Sequence, residues 1–329
     1  MTGKFRFGTY NLFNLGVPRS AQEKERYGCL VETVTEAFRS RRGALAVQEI
    51  TGDSRAEASR VLRMLADDTG LVSQASRPRG RRIVPALASQ HPGTCDSVRF
   101  HVALLWTPEV DAVPNTLRRY DGGVDFWHSM VTVVLDAGGP VPVKFGSYHA
   151  NPFSPPRRLE EARRVLSAFQ GEDDQGAIGA DWNSLDASRR ADGSYYDADR
   201  YADQRHRKLR FQVDFDPAHP DAPPVANRDA AVFLSQEPGG LHDIAPLLDV
   251  PWEATCGHWP DERGRLDPYG PGRIDTVRAT LRLARTAYAH TTHHGPDAEA
   301  ASDHLLVTTD YDLDRMAADP VQPGPPPAS

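Results

Sequence analysis

The chain has 329 residues, 38 Lys and Arg against 45 Asp and Glu, a formal net charge of −7 and 39% hydrophobic content. This is a globular composition, large for one core but within reach of a double-sheet domain, and it excludes a strongly basic module that binds nucleic acid through a static surface. No stretch approaches the ~20 apolar residues of a membrane span, and Cys29, Cys95 and Cys256 lie too far apart for a CxxC zinc site or a disulfide framework.

The N-terminus, MTGKFRFGTYNLFNLG, has no long apolar run and no small-residue cleavage site, so it reads as a strand and cytoplasm is the expected compartment. Lys4–Leu12 is that strand. Gln22–Arg39 follows with Leu30, Val34 and Phe38 at four-residue steps, the spacing of a helix with one apolar face. Ala44–Ile50 is a buried-strand run, and Ala56–Asp67 is a second helix. Val102–Trp106, Met130–Leu135 and Val143–Tyr148 are strands. Pro155–Phe169 is a helix with Pro at its first position, where the missing N–H costs nothing. Gly176–Gly179 is a short strand running into ADWN, and Ile274–Leu281 and Leu305–Thr309 are late strands.

Strands outnumber helices and several follow one another directly, which a regular parallel βαβ fold would not show. The expected fold is α/β (α+β): a four-layer sandwich of two packed mixed β-sheets flanked by helices. One domain should cover residues 1–315, with a polar, aromatic insertion from about Ser184 to about Asn227, here expected to wall the functional cleft. Residues 316–329 should be a disordered tail, Pro-rich from Pro320.

Polar residues recur where apolar runs stop: Asn11 after FGTY, Glu49 after ALAVQ, His149 after VKFGSY, Asp181 and Asn183 after AIGA, Asp275 within GRIDTV, and Asp303 and His304 before LLV. A carboxylate or imidazole at the mouth of a buried strand is held rigidly and still reaches solvent. Each alone also reads as a cap or a turn residue. Together they form an oxygen-rich donor set without cysteine, which suits Mg²⁺ or Mn²⁺, with Ca²⁺ as a third choice. Beside it stand the imidazoles and carboxylates that metal-assisted phosphoryl transfer needs.

At these residues the sequence resembles the endonuclease/exonuclease/phosphatase family. The resemblance rests on TYNLFN (Thr9–Asn14), VQE (Val47–Glu49), YHAN (Tyr148–Asn151), GADWN (Gly179–Asn183), GRIDTV (Gly272–Val277) and SDH (Ser302–His304), in the family's order. It implies Glu49 as main metal ligand, helped by Asn11 and Asp303, and Asp181 as the group that orients or deprotonates water. It further implies Asn183 holding the phosphate or Asp181, His304 bonding a phosphate oxygen with Asp275 fixing its orientation, and His149 on the phosphate's opposite side. Many members carry an Asp where this chain has Phe13, which weakens the case for a second metal. Some carry an Arg ahead of a central strand where Trp127 and His128 stand, so His128 or another Arg takes the phosphate.

Asn151, His128, Arg273 and Trp259 complete the expected substrate-binding set. Two basic runs, Arg77–Arg82 and Arg205–Arg210, the second near Tyr195, Tyr196 and Tyr201, read either as nucleic-acid contacts or as solvated loops. His290, His293 and His294 read as a surface strand or turn. The expected activity is a divalent-metal-dependent phosphoesterase, foremost a nuclease on DNA or RNA. The alternative substrates are a phosphomonoester, an inositol phosphate or a phospholipid head group, and a catalytically silent binding relative ranks last. The expected partner is a phosphate-ester substrate, with no membrane and a monomer by default.

Overall fold

Lys4–Leu15 forms one long strand whose alternation sets the plan of the molecule. Phe5 and Phe7 face one way, into a core shared with a second sheet, and Tyr10 and Leu12 face the other way, under helices. A computed structural model describes residues 3–80, 82–91, 99–171, 175–201, 211–219, 221–260 and 270–318. Arg81, Cys95, the basic run Arg205–Arg210 and the tail from Pro320 lie outside the described residues.

The first strand sits inside a six-stranded sheet in the order 287–292, 307–312, 4–15, 43–51, 100–106, 87–89. The second sheet has seven strands: 241–243, 275–280, 176–181, 143–149, 129–136 and 111–112 in order, with 118–120 also on 129–136. Both sheets are mixed, because 4–15 runs parallel to 43–51 and 143–149 parallel to 176–181 among otherwise antiparallel neighbours. Helices Ala21–Phe38, Arg55–Thr69 and Pro296–Ala301 cover the outer face of the first sheet through Leu30, Val61 and Ala301. Pro155–Ala168 and Asp229–Leu234 cover the second sheet through Val165 and Leu234. The four expected layers are present.

Between the sheets the side chains form three tiers. The deepest is apolar, with Phe5, Phe7, Ala44, Ala46 and Leu104 against Val131, Val133, Phe145, Ala177 and Val277. The next is small and polar: Gln48 Nε2 donates to Ser147 Oγ at 3.2 Å, Thr9 Oγ1 donates to Gln48 Oε1 at 3.3 Å, and Ser147 Oγ donates to the Val47 carbonyl at 2.9 Å. Here the sheets come closest. A Cβ on Gly179 would lie 2.7 Å from Thr9 Cβ and 2.9 Å from Ala46 Cβ. We therefore expect Gly179→Ala to cost about 1–3 kcal/mol of stability, read as a lower urea midpoint with an unchanged slope.

The third tier, at the open end, holds Asn11, Glu49, His149, Asp181 and Asp275. The elements read from sequence all form. The short strands Leu87–Ser89 and Leu241–Asp243 were not anticipated, and His290 belongs to the edge strand Ala287–Thr292. Leu313 and Met316 are buried in the inter-sheet core, so packed chain continues past residue 315. Among the described residues no helix is long and apolar enough to cross a membrane.

Candidate active site

Regular alternation would send Glu49 under the helices with Leu45 and Val47. Instead the register of 43–51 against 100–106 shifts between Val47 and Ile50, and Glu49 takes φ 61°. This bulge lets Glu49 turn to the cleft directly after the inward-facing Gln48. The neighbouring strand shifts register between Asn11 and Leu15, with Phe13 at φ 46° and Asn14 at φ 54°. The Asn14 N–H then donates to Glu49 Oε2 at 3.0 Å, and Asn11 Nδ2 donates to Glu49 Oε1 at 3.1 Å. Left-handed backbone at non-glycine residues costs about 1–3 kcal/mol each and persists where the surroundings over-determine it. Asn183, at φ 48°, is a fourth such residue at this end of the sandwich.

Asp181 is the hub. Its Oδ2 accepts from Asn11 Nδ2 at 3.0 Å, and its Oδ1 accepts from the Asn183 N–H at 2.9 Å. His149 Nε2 lies 3.5 Å from Asp181 Oδ2, and His304 Nε2 lies 4.0 Å from the same oxygen. His304 Nδ1 pairs with Asp275 Oδ2 at 2.8 Å. That oxygen also accepts from Thr255 Oγ1 at 2.6 Å, and Thr255 Oγ1 in turn accepts the Ile274 and Asp275 N–H groups. Burial alone would discharge His304, but Asp275, then Asp303 and Asp181, outweigh it and hold the imidazole well above its ordinary pKa. Burial, aided by Asp303, pushes Glu49 upward, and burial, aided by Asp275 and Asp181, pushes Asp303 upward. Burial is the larger cause in both, so each carboxylate sits where its charge is disfavoured.

Asp181, Asp275 and His304 offer ligand atoms within 4.8 Å of one another, an arrangement that could itself hold an ion. In this geometry His304 Nδ1 already pairs with Asp275 Oδ2 at 2.8 Å, which leaves Nε2 as the imidazole's free edge toward Asp181. Asn11, expected to lend oxygen to a metal, presents nitrogen to Glu49 and Asp181, while its oxygen accepts the Phe13 N–H at 3.1 Å. Its amide nitrogen thus bridges the two carboxylates.

The cleft, about 340 Å³, is lined by Glu49, Gln90, Phe100, Trp127, His128, His149, Pro152, Phe153, Asp181, Asn183 and His304. His128 stacks on His149 with ring centroids 3.9 Å apart and planes 8° from parallel. Burial and His149 push the pKa of His128 well down, so it is neutral.

Three expected substrate contacts sit elsewhere. Asn151 is buried, and its amide oxygen accepts the Phe153 and Ser154 N–H groups, shaping the turn before the helix. Trp259 packs edge-on against Phe13 at 5.0 Å and donates Nε1 to the Glu299 carbonyl. Arg273 is fully paired in the interior: Nε donates to Asp197 Oδ1 at 2.8 Å, and Nη2 to Asp243 Oδ2 at 2.6 Å. Removing one partner of a buried ion cluster costs about 3–5 kcal/mol. Arg273→Ala is accordingly expected to lower stability by that order in a denaturant titration, rather than to raise KM in a folded enzyme.

Asp197 belongs to the insertion, as does Asp186, which pairs with Arg278. Among its described residues the insertion is knit into the sheet edge by these pairs; none is in the lining of this cleft, though Phe211 packs against the cleft residue Phe153. Its tyrosines are spoken for: Arg189 and Arg228 lie over Tyr195, Arg190 and Arg273 lie over Tyr196, and Tyr201 is buried. Sequence reading missed Thr255, Phe100, Trp127 and Phe153. Trp127 adjoins the candidate His128 and Phe153 follows YHAN by two positions, but nothing in sequence marks Thr255 or Phe100.

No protein-family model matches the chain, and no curated protein matches it in sequence. Solved structures do. An endonuclease/exonuclease/phosphatase from Bacteroides vulgatus aligns with TM-score 0.57 and 10% identity, covering 93% of this chain and 98% of that one. The human Nocturnin catalytic domain with bound sulfate aligns with TM-score 0.52 and 11% identity, covering 94% and 95%. A Bacteroides thetaiotaomicron mannosyl-6-phosphatase aligns with TM-score 0.52 and 15% identity, covering 93% and 98%.

Proposed function

We propose that this chain, which has the fold of the endonuclease/exonuclease/phosphatase proteins, is a divalent-metal-dependent phosphoesterase whose foremost substrates are nucleic-acid phosphodiesters. The observation that carries the reading is the convergence of Glu49, Asp181, His149 and His304 on one cleft, with Asp303 beside His304. Carboxylates and imidazoles stand side by side there, with His304 Nε2 4.0 Å from both Asp181 and Asp303. That is a place for a cation and a phosphate together.

Glu49 and Asp303 would hold the metal. Glu49 is aimed by Asn11 and Asn14, and the only hydrogen bond found for the Asp303 carboxylate among the described residues is a 3.5 Å contact from Ser302 Oγ, which leaves it open to an ion. Their all-oxygen donor set suits Mg²⁺ or Mn²⁺. When bound, the ion would offset the charge on the phosphate. Asp181, fixed at both oxygens, orients the attacking water and accepts its proton. His304 donates from Nε2 to a phosphate oxygen, with Asp275 and Thr255 fixing its ring. His149 stands beside Asp181 on the neighbouring strand, Nε2 3.5 Å from Oδ2, and would serve as a second donor or as the acid for the leaving oxygen. His128 buttresses it.

The confined cleft and the net charge of −7 favour a second reading, the same chemistry on a small phosphate ester. A substrate panel separates the two: plasmid DNA, single-stranded DNA, RNA, bis(p-nitrophenyl) phosphate, inositol phosphates and a sugar phosphate, each with Mg²⁺ or Mn²⁺. Hydrolysis of the nucleic acids supports the first reading, and preference for monoesters selects the second. Inertness toward every ester contradicts both.

A further inference from the structure

Beside the phosphate cleft lies a second hollow of about 560 Å³, and Trp127 and Phe153 line both. The Trp127 and Phe153 rings meet edge to face at 5.6 Å, and Phe153 and Phe211 do the same at 5.9 Å. Phe153 is 51% exposed and Phe211 42%. Large apolar side chains left open to water in a row need a reason.

The underlying construction supplies one. The three rings come from three separate segments, and one turn of the helix Pro155–Ala168 ties all three backbones down. Glu161 Oε1 accepts the Trp127 N–H at 2.6 Å, and its Oε2 accepts the Asn151 N–H at 2.9 Å. Arg158 Nη1 donates to the Asn151 carbonyl at 3.0 Å, and its Nη2 to the Phe211 carbonyl at 2.8 Å. Arg158 and Glu161 are 1% and 2% exposed. Burying two charged groups is costly unless they are well bonded, and here their bonds go to the loops that carry the rings. The row is preorganised rather than incidental.

We propose that the Trp127–Phe153–Phe211 row is a subsite that stacks the nucleobase attached to the phosphate under attack. The inference rests on the phosphoesterase reading and names the part of the substrate next to the reacting phosphate. Continuity with the phosphate cleft argues for a group on the substrate itself. The aromatic surface argues for a planar ring, since every base has a face to stack and aromatic side chains accept them with little regard to sequence.

The test is calorimetric titration, in Mg²⁺, of full-length Asp181→Asn protein, chosen so that the probes stay intact. The probes are adenosine 5′-monophosphate, ribose 5-phosphate and hexyl phosphate. The nucleotide should bind about tenfold more tightly than ribose 5-phosphate, and hexyl phosphate should not match it. Adding Phe153→Ala should cost the nucleotide about tenfold more affinity than it costs ribose 5-phosphate, whereas Phe153→Tyr should keep the nucleotide's advantage. Equal affinity for nucleotide and sugar phosphate, parity of hexyl phosphate with the nucleotide, or no binding of any probe overturns the subsite. If wild-type protein still hydrolyses phosphate esters in that event, only this inference falls. Loss of hydrolysis across the ester panel removes the phosphoesterase reading itself.

Discussion

Asp181→Asn should lower kcat by about 10²–10⁴-fold, the range for removal of a positioned general base, and should leave the protein folded. The substitution keeps size and shape, so the tier beneath it does not collapse. It changes what the position can accept. Asp181 Oδ2 takes a hydrogen bond from Asn11 Nδ2, and Oδ1 takes one from the Asn183 N–H. A carboxamide offers one oxygen to these two donors and sets its own N–H₂ against the other. The base is lost and the hub turns. Because Asp181 is proposed to act on the water rather than on the ground-state phosphate, KM should change little. The kinetics are read on bis(p-nitrophenyl) phosphate, beside a circular dichroism spectrum. An unchanged kcat would remove Asp181 from the mechanism.

His304→Ala and Asp275→Asn should each lower kcat by about 10²–10³-fold, the scale for loss of one preorganised donor to a developing oxyanion. The double substitution should be little worse than either single one, because the two act as a unit. Asp275 Oδ2 receives both His304 Nδ1 and Thr255 Oγ1, so the carboxylate sets which ring nitrogen faces the substrate. It also keeps the imidazole charged: against the opposing pull of burial, Asp275 holds the His304 pKa well up. The donor form therefore persists below that raised pKa and is lost as pH rises through it. Asp275→Asn lowers the pKa, so the alkaline limb of the surviving activity should move to lower pH. The same sign applies to stability, where the pair's contribution is complete below the unfolded histidine's pKa and disappears as pH climbs through the folded one. Losses that multiply in the double variant, or an alkaline limb that stays in place, would show that Asp275 does not act through His304.

Much of this site was legible because strand physics places it. Asp181 and His149 stand where apolar runs end, and such runs end at sheet edges. Glu49 is harder, since alternation permits only one of Gln48 and Glu49 to face the inner side of the sheet. Both do so because of a bulge that no residue in ALAVQEI announces. Asn11 was read as an oxygen donor, yet its amide direction is decided by Glu49 and Asp181, which lie 38 and 170 positions away. Arg273 lies beside Asp275 in the GRIDTV motif and looked like a substrate contact. Its partners, Asp197 and Asp243, come from segments 76 and 30 positions distant and draw it into the interior. The insertion looked like a long loop because it lacks periodicity, but the order of its described residues comes from buried ion pairs and Arg–Tyr stacking, which leave no period in sequence. The aromatic row escaped notice for a related reason. Arg158 and Glu161 read as the solvated face of a helix until the loops they bond are in view.

The account turns on the cation that Glu49 and Asp303 are proposed to hold. The most direct measurement is hydrolysis of bis(p-nitrophenyl) phosphate by wild-type protein in EDTA and again after Mg²⁺ is returned in excess, with Glu49→Gln measured in parallel. The account predicts that EDTA abolishes turnover, that Mg²⁺ restores it, and that Glu49→Gln, folded as wild type, needs far more Mg²⁺ to reach half of its own maximal rate. Turnover that continues undiminished in EDTA would contradict it.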